Sequence, residues 1–575
     1  MKSFTQLKKN LKKDFSALKK LRVALLGDTA TQFLNQALKA SGFDKNVDLI
    51  VWEADFNQIE RQILDPSSDL FQQEADVVII FQSSHKLLAA YNKLKISEYV
   101  SFADHHLSLV NDLYTAVNKN PRAKFIFYNF AEIDDAVFGN FANKVESSFL
   151  FQLRKINFHL SVYALSSANF YICDISGIQN LIGKPAMFQP SVYINTDMVL
   201  NIDALPLIAL RTIDIITSFN GQFKKCVILD LDNTLWGGVI GDDGIDKIQL
   251  GSLGIGKAFT EFQYWLKKLK NRGIILAVCS KNTDSIAREP FEKHPDMVLH
   301  IDDIAVFVAN WENKADNIRF IQNVLNIGFD SMVFLDDNPF ERNIVRENIA
   351  GITVPELPPD PADYLEYLYT LNLFETASFS TEDQNRTSRY QVQAQRSSFQ
   401  TTFTNEIDFL KNLQMKSEVQ PFNSFTVPRV AQLSQRSNQF NLRTIRYTEA
   451  DIEMLLKNPA YHTFSFTLTD LYGDNGLVAL VILRQENNQT LFIENWLMSC
   501  RVLKRGMEQF ILNSIARFTQ EMGYSCLKGE YLPTPKNEMV KEHYKKLGFD
   551  SADGIWLLNL DEYQPIPCFI NINNS

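Results

Sequence analysis

Residues 226–238 read CVILDLDNTLWGG. The run Val227 to Leu229 has the make-up of a buried strand, and it ends in Asp230-Leu231-Asp232-Asn233-Thr234. Two carboxylates two residues apart at the end of such a strand are costly to bury unless a cation is held there. The pair suits Mg2+, which takes a few carboxylates together with phosphate oxygens. One aspartate can attack phosphorus while the other moves a proton. Three more stretches follow in order. IILAVCSKN (274–282) ends in the small hydroxyl residue Ser280, NWENKADNI (310–318) carries Lys314 in a helical context, and MVFLDDN (332–338) ends in Asp336-Asp337. Taken singly, each has an ordinary explanation as a turn residue, a helix cap or a solvated face. Together they fall within about 110 residues, three of them at strand ends.

The set resembles motifs I to IV of the haloacid dehalogenase superfamily of phosphotransferases. The resemblance implies that Asp230 is the nucleophile, that Asp232 is the acid and base, and that Ser280 and Lys314 hold the phosphoryl oxygens. Thr234 and Asn282 fall on the substrate side. The implied metal set is Asp230, Asp232 through its backbone carbonyl, Asp336 and Asp337, around Mg2+. Four glycines in the stretch from Trp236 to Gly244 allow a tight flap beside the site. Fewer than fifty residues separate Asp232 from Ser280, too few for a large inserted cap, so an open site is expected.

A length of 575 residues allows about three to four domains. The chain is 45% hydrophobic and 22% charged, ordinary for a globular protein. A net charge of −10 argues against nucleic-acid binding driven by bulk electrostatics. Six cysteines stand singly, without CxxC or zinc spacing, which fits reduced thiols and a cytoplasmic location. No apolar run approaches the ~20 residues of a membrane span. Seven lysines in the first twenty residues come without the apolar core of a signal peptide. Phe4, Leu7, Leu11, Phe15 and Leu18 follow helical spacing and predict a first helix.

Apolar strand candidates at 22–27, 47–52, 76–82, 124–130 and 169–173 alternate with helical stretches such as 84–95 and 105–119. This alternation predicts a parallel sheet. The first strand runs into Gly27-Asp28-Thr29, which resembles the start of SGNH hydrolases, with threonine where the nucleophilic serine stands. No DxxH follows near the domain's end, and Asp104-His105-His106 comes too early to replace it. An inactive hydrolase fold kept for binding or assembly is expected.

Past the acid-bearing region the chain turns polar and helical, with Thr381-Glu382-Asp383, Arg386, Tyr390 and Arg396. Residues 429–447 are rich in amides in a helical context, and Asn438-Gln439-Phe440-Asn441 suggests a polar binding surface. Strands are expected at 477–484 and 490–500, then a basic turn, Arg501 to Gly506, and a helix over 507–522. A strand, a basic glycine-containing turn and a helix make an anion site in physical terms. The turn resembles the acyl-CoA-binding turn of GNAT acyltransferases, with Lys504 where the first glycine is expected, and HYKKLGF (543–549) resembles the close of that fold.

The chain as a whole is similar to the FkbH-like, HAD-IIIC family. The resemblance rests on DLDNTLWGGVIGDDG, AVCSKN, NWENKADNI, FLDDNPFERN, VPELPPDP, SNQFNLRT, LYGDNGL, MSCRV and LGF. It implies an α/β multidomain protein: an SGNH-like, flavodoxin-type domain over 1–220, a haloacid dehalogenase Rossmannoid domain with a minimal cap over 221–372, a helical linker over 373–420, and a GNAT-like α+β domain over 421–575. It also implies a phosphatase-type site coupled to acyl transfer, with 1,3-bisphosphoglycerate as phosphorylated donor and an acyl carrier protein or CoA as partner. A carrier thioester calls for a cysteine. Cys500 lies beside Arg501 and Lys504, whose charge lowers a thiol pKa, and Cys279 lies beside Ser280. The plain alternative for both is an apolar filler. A phosphatase of a sugar phosphate or another phosphometabolite, and a non-catalytic assembly protein, are the other two readings.

Overall fold

The computed structural model describes residues 2–120, 123–379, 387, 389–392, 405–437, 439–534, 536–552 and 554–573, with the side chains of Glu406, Cys500 and Ala552 left out. Most of the linker stretch, including Thr381-Glu382-Asp383, Arg386 and Arg396, and Asn438 of the amide-rich run lie outside the described residues. The chain forms two compact units, Met1–Ser218 and Phe219–Ser575.

In the first unit, strands β1 (Lys19–Gly27), β2 (Val47–Glu53), β3 (Val77–Phe81), β4 (Lys124–Tyr128) and β5 (Phe170–Cys173) make one sheet in the order β2-β1-β3-β4-β5. Every neighbouring pair is parallel. This is the flavodoxin-type doubly wound order. Strand β3 is buried along its whole length, as a sheet covered on both faces requires. The first helix is shorter than its spacing suggests, spanning only Phe4–Lys8 before a 3-10 turn over Lys9–Lys12. Asp14 accepts a hydrogen bond from the backbone N–H of Ser16 at 2.8 Å, a local turn that diverts the chain. Pairing of Lys19 with Val47 then begins β1.

The second unit opens with β6 (Cys226–Leu229), β7 (Ile275–Ser280), β8 (Ile304–Ala309) and β9 (Met332–Leu335), a parallel sheet in the order β8-β7-β6-β9. Strands β6, β7 and β9 are fully buried, which is what their unbroken apolar sequences require. Between β6 and β7 lie only the one-turn helix Ile240–Asp243 and the helix Gly254–Asn271, so no cap domain is inserted.

The third sheet contains β10 (Met415–Ser417), β11 (Val419–Gln420), β12 (Tyr461–Asp470), β13 (Gly473–Gln485), β14 (Thr490–Met498), β15 (Cys526–Glu530), β16 (Asp550–Ala552), β17 (Ile555–Asn559) and β18 (Ile570–Ile572). It is largely antiparallel, with β14 parallel to β15 and β10 parallel to β18. The sheet begins before Pro421 because Met415 is wholly buried and Lys416 pairs with Thr469. The helix at the start of the amide-rich run covers Val427–Arg436 only. Beyond it the chain extends along β14, where Leu442 donates to the Trp496 carbonyl at 3.1 Å. No helix among the described residues is long and apolar enough to cross a membrane.

Candidate active site

The carboxyl ends of β6, β7 and β9 lie side by side, and each delivers functional residues as the chain leaves the sheet. Ligand sites of open parallel sheets form at such edges. Asp230 follows β6 and is almost wholly buried, and Asp336 follows β9 with no exposure at all. Lys314, the first residue of the helix Lys314–Leu325, reaches both: Nζ is 2.8 Å from Asp230 Oδ1 and 2.6 Å from Asp336 Oδ2. That helix starts where it does because Asn313 caps it, accepting the N–H of Ala315 at 2.8 Å. Carboxylate oxygens of Asp230, Asp336 and Asp337 all lie within 4.8 Å of one another.

The electrostatics follow from this crowding. Burial pushes the Asp336 carboxyl up to about 7, and Asp230 beside it pushes the same way, against the pull of Lys314. Burial would lower the Lys314 ammonium, but Asp230 and Asp336 hold it above the ordinary lysine value. Three clustered carboxylates against one ammonium leave excess negative charge, a setting for a hard dication.

Asp232 stands apart from this trio. Its Oδ1 accepts from Trp236 Nε1 at 2.9 Å and from the Ile240 N–H at 3.0 Å, and its Oδ2 accepts from Asn282 Nδ2 at 2.9 Å. The carboxylate of Asp232 is therefore not one of the clustered metal donors, in contrast to the plainest reading of DxD. Burial raises its pKa, and the Ile240 and Trp236 donors offset part of that rise. The turn between Asp232 and Trp236 places Asn233 at φ 55°, a left-handed conformation asparagine tolerates. Asn233 Oδ1 then accepts the Gly238 N–H at 2.9 Å.

Two residues expected on the substrate side make hydrogen bonds within the protein. Thr234 is wholly buried, and its hydroxyl accepts the Asp337 N–H at 3.1 Å, so it holds the acidic loop after β9. Asn282 is buried and holds Asp232. Ser280 lies at the end of β7, buried. The sequence reading missed Arg342, whose Nη1 donates to the carbonyls of Asp336 at 2.7 Å and Asp337 at 2.6 Å. It also missed Trp236 as a donor to Asp232; the signal available was the conjunction of each residue with the acids a turn away.

The residues expected in acyl transfer lie in different settings. Cys279 is wholly buried among apolar side chains, and burial pushes its thiol up to about 12, so it is a filler and not an acyl acceptor. The side chain of Cys500 lies outside the described residues. Arg505 is buried against Asp470, with Nη1 3.1 Å from Oδ2, and does not face a ligand at the turn. Arg501 is buried too, lining a cavity of about 60 Å³ with Lys225, Arg389, Arg429, Arg436 and Ser499. Lys504 alone of the three basic residues is exposed, at φ 62°, the conformation a glycine would favour. Strands β14 and β15 pair only from Thr490 to Phe492. Past that point the segment Phe440–Leu442 lies between them, with the Met498 N–H donating to the Phe440 carbonyl and the Leu532 N–H to the Leu442 carbonyl.

Known proteins match parts of this chain. A family profile described as "FkbH, N-terminal domain" matches residues 22–217. A solved structure, the N-terminal part of the protein BF1531 from Bacteroides fragilis containing a phosphatase domain complexed with Mg, is 59% identical; the match covers 66% of this chain and 100% of that one, with a TM-score of 0.64. The ribosomal-protein-S18-alanine N-acetyltransferase of Escherichia coli matches at 16% identity, covering 25% of this chain and 94% of that one, with a TM-score of 0.20. The spermidine N-acetyltransferase of Vibrio cholerae, in complex with CoA and spermine, matches at 11% identity over 26% of this chain and 98% of that one, with a TM-score of 0.21. No curated protein sequence matches the chain.

Proposed function

The chain belongs to the FkbH-like family of haloacid dehalogenase-type phosphatases, and we propose that it is a Mg2+-dependent phosphohydrolase that works through Asp230. The observation that carries this reading is the trio Asp230, Asp336 and Asp337, with carboxylate oxygens within 4.8 Å of one another and Lys314 bridging the first two. An all-oxygen donor set fits Mg2+, and the Mg in the related Bacteroides fragilis structure supports the choice. The residues that would hold the ion are Asp230, Asp336 and Asp337, together with the backbone carbonyl of Asp232. When bound, Mg2+ supplies charge neutralisation at the phosphoryl oxygens.

The side chains then divide the work. Asp230 attacks phosphorus and takes the phosphoryl group as an aspartyl-phosphate. Asp232, fixed in orientation by Trp236, Ile240 and Asn282, gives a proton to the leaving oxygen and later takes one from the attacking water. Lys314 and Ser280 hold phosphoryl oxygens in place. With only a one-turn helix and one longer helix between β6 and β7, and no inserted cap domain, the site is open to a large or carrier-bound substrate. Phosphate release from a panel of phosphomonoesters, in Mg2+ and in EDTA, tests the reading. Release only with Mg2+ is expected, and equal release in EDTA contradicts it.

The finer reading couples this site to loading of a glyceryl-like acyl group from 1,3-bisphosphoglycerate onto a carrier protein, in the cytoplasm. The family resemblance supports it, and so does exposed Lys504, which precedes the helix Met507–Glu521 and is able to meet a carrier's phosphodiester. In this reading residues 421–575 act as the GNAT-like partner domain, 373–420 as the linker, 221–372 as the phosphatase domain and 1–220 as an SGNH-like domain without hydrolase activity. Intact-mass measurement after incubation with 1,3-bisphosphoglycerate distinguishes a loader from a plain phosphatase, because only a loader gains a glyceryl adduct.

A further inference from the structure

The helix Pro339–Asn348 begins two residues past Asp337, and its first turn carries Glu341. Glu341 is buried, and its Oε1 lies 2.6 Å from Lys281 Nζ. Lys281 sits between Ser280 and Asn282 in the loop after β7. In the sheet, β7 and β9 are not neighbours, because β6 lies between them. The Lys281–Glu341 pair therefore crosses over the end of the strand that delivers Asp230 and Asp232.

The next residue along the helix, Arg342, grips the carbonyls of Asp336 and Asp337 and is held in turn by Glu356, 3.1 Å away. On the other side, Asn282 grips Asp232. The contacts run in a chain: Asp232 to Asn282, along the backbone to Lys281, across to Glu341, along the backbone to Arg342, and on to Asp336 and Asp337, with the Asp337 N–H donating to Thr234, two residues past Asp232. Lys281–Glu341 directly links the loop after β7 to the helix that follows the acidic loop, side chain to side chain.

We propose that Lys281 and Glu341 are positioning residues, a clasp that sets the spacing between Ser280 and Asn282 on one side and the metal-holding carboxylates Asp336 and Asp337 on the other. Neither touches the reacting atoms; each acts through its neighbours. Glu341 is buried while Lys281 is partly exposed, so the pair is shielded from solvent on the Glu341 side. Outer partners of metal-holding groups change metal affinity or activity by roughly 10- to 100-fold when removed.

This inference rests on the proposed phosphatase site, and the experiment separates the two. Mn2+ binding, read by electron paramagnetic resonance, and phosphate release are measured for the full-length protein, Lys281→Met, Lys281→Arg, Glu341→Gln and the double variant Lys281→Met/Glu341→Gln. Thermal unfolding is followed alongside. The expected result is a roughly tenfold or greater loss of Mn2+ affinity and of kcat/KM in Lys281→Met and Glu341→Gln. The double variant is no worse than either single one, and Lys281→Arg stays near wild type. The double variant removes both charges together, so it keeps the test open if a single variant unfolds. Folded variants with Mn2+ affinity and kcat/KM within twofold of wild type overturn the clasp. A wild-type protein that binds Mn2+ in this way but releases no phosphate overturns the phosphatase reading and leaves the clasp standing.

Discussion

Lys314 Nζ lies 2.8 Å from Asp230 Oδ1, and both side chains are almost wholly shut off from solvent. The ammonium is the counter-charge to Asp230 and Asp336 together. Removing one partner of a buried ion pair costs about 3–5 kcal/mol. Lys314→Met is therefore expected to lose stability by about that amount in EDTA, with part of the loss recovered in Mg2+. Denaturant unfolding in both conditions measures it. Equal stability of variant and wild type in EDTA counts against the buried pair.

Thr234 holds Asp337 from inside the core. Thr234→Val keeps the volume and removes the hydroxyl. The Mg2+ concentration for half-maximal phosphate release should rise roughly 10- to 100-fold, with little change in kcat at saturating Mg2+. A raised KM for the phosphate ester with unchanged Mg2+ dependence would return Thr234 to the substrate side.

His543 is buried edge-on between Phe440 and Trp496, with ring centroids 4.9 and 4.6 Å away, and burial lowers its pKa to about 3. Its folded pKa lies below its unfolded one, so the unfolded chain takes up the proton first as pH falls. Stability should therefore fall with acid from about pH 6.5 toward pH 3, by about 2 kcal/mol at pH 5 from this residue. Denaturation midpoints at pH 7 and pH 5 should lie closer together in His543→Phe than in wild type. An unchanged gap would mean that the imidazole takes up its proton at the same pH in the folded and unfolded protein.

Thr29, just past the end of β1, is wholly buried and its hydroxyl meets no hydrogen-bond partner among the described residues. The full-length protein should show no hydrolysis of simple acyl esters above the rate of the buffer. Ester hydrolysis that disappears in Thr29→Ala would make the first unit a working hydrolase.

Much of the architecture is written in short runs. The apolar stretches at 76–82, 124–130 and 332–335 have no alternation because parallel strands are covered on both faces, and the structure places strands at all three. The acids at the ends of β6 and β9 stood out for the same reason: charge next to a buried run demands an explanation. Other features depend on where distant segments meet. Arg342 is an ordinary helical arginine until the acidic loop folds back over it. Arg505 reads as part of a basic turn, but Asp470, far away in sequence, draws it into the interior. The first helix stops early because Asp14 makes a local turn that apolar spacing does not register.

The most direct test compares wild-type protein with Asp230→Asn, which keeps the side chain's shape and removes the nucleophilic carboxylate. Phosphate release from an aryl phosphate is followed with saturating Mg2+, with intact folding checked by circular dichroism. Turnover in the variant should fall by on the order of 10⁶-fold, the scale of removing a nucleophile. Turnover within tenfold of wild type would contradict a phosphohydrolase that works through Asp230.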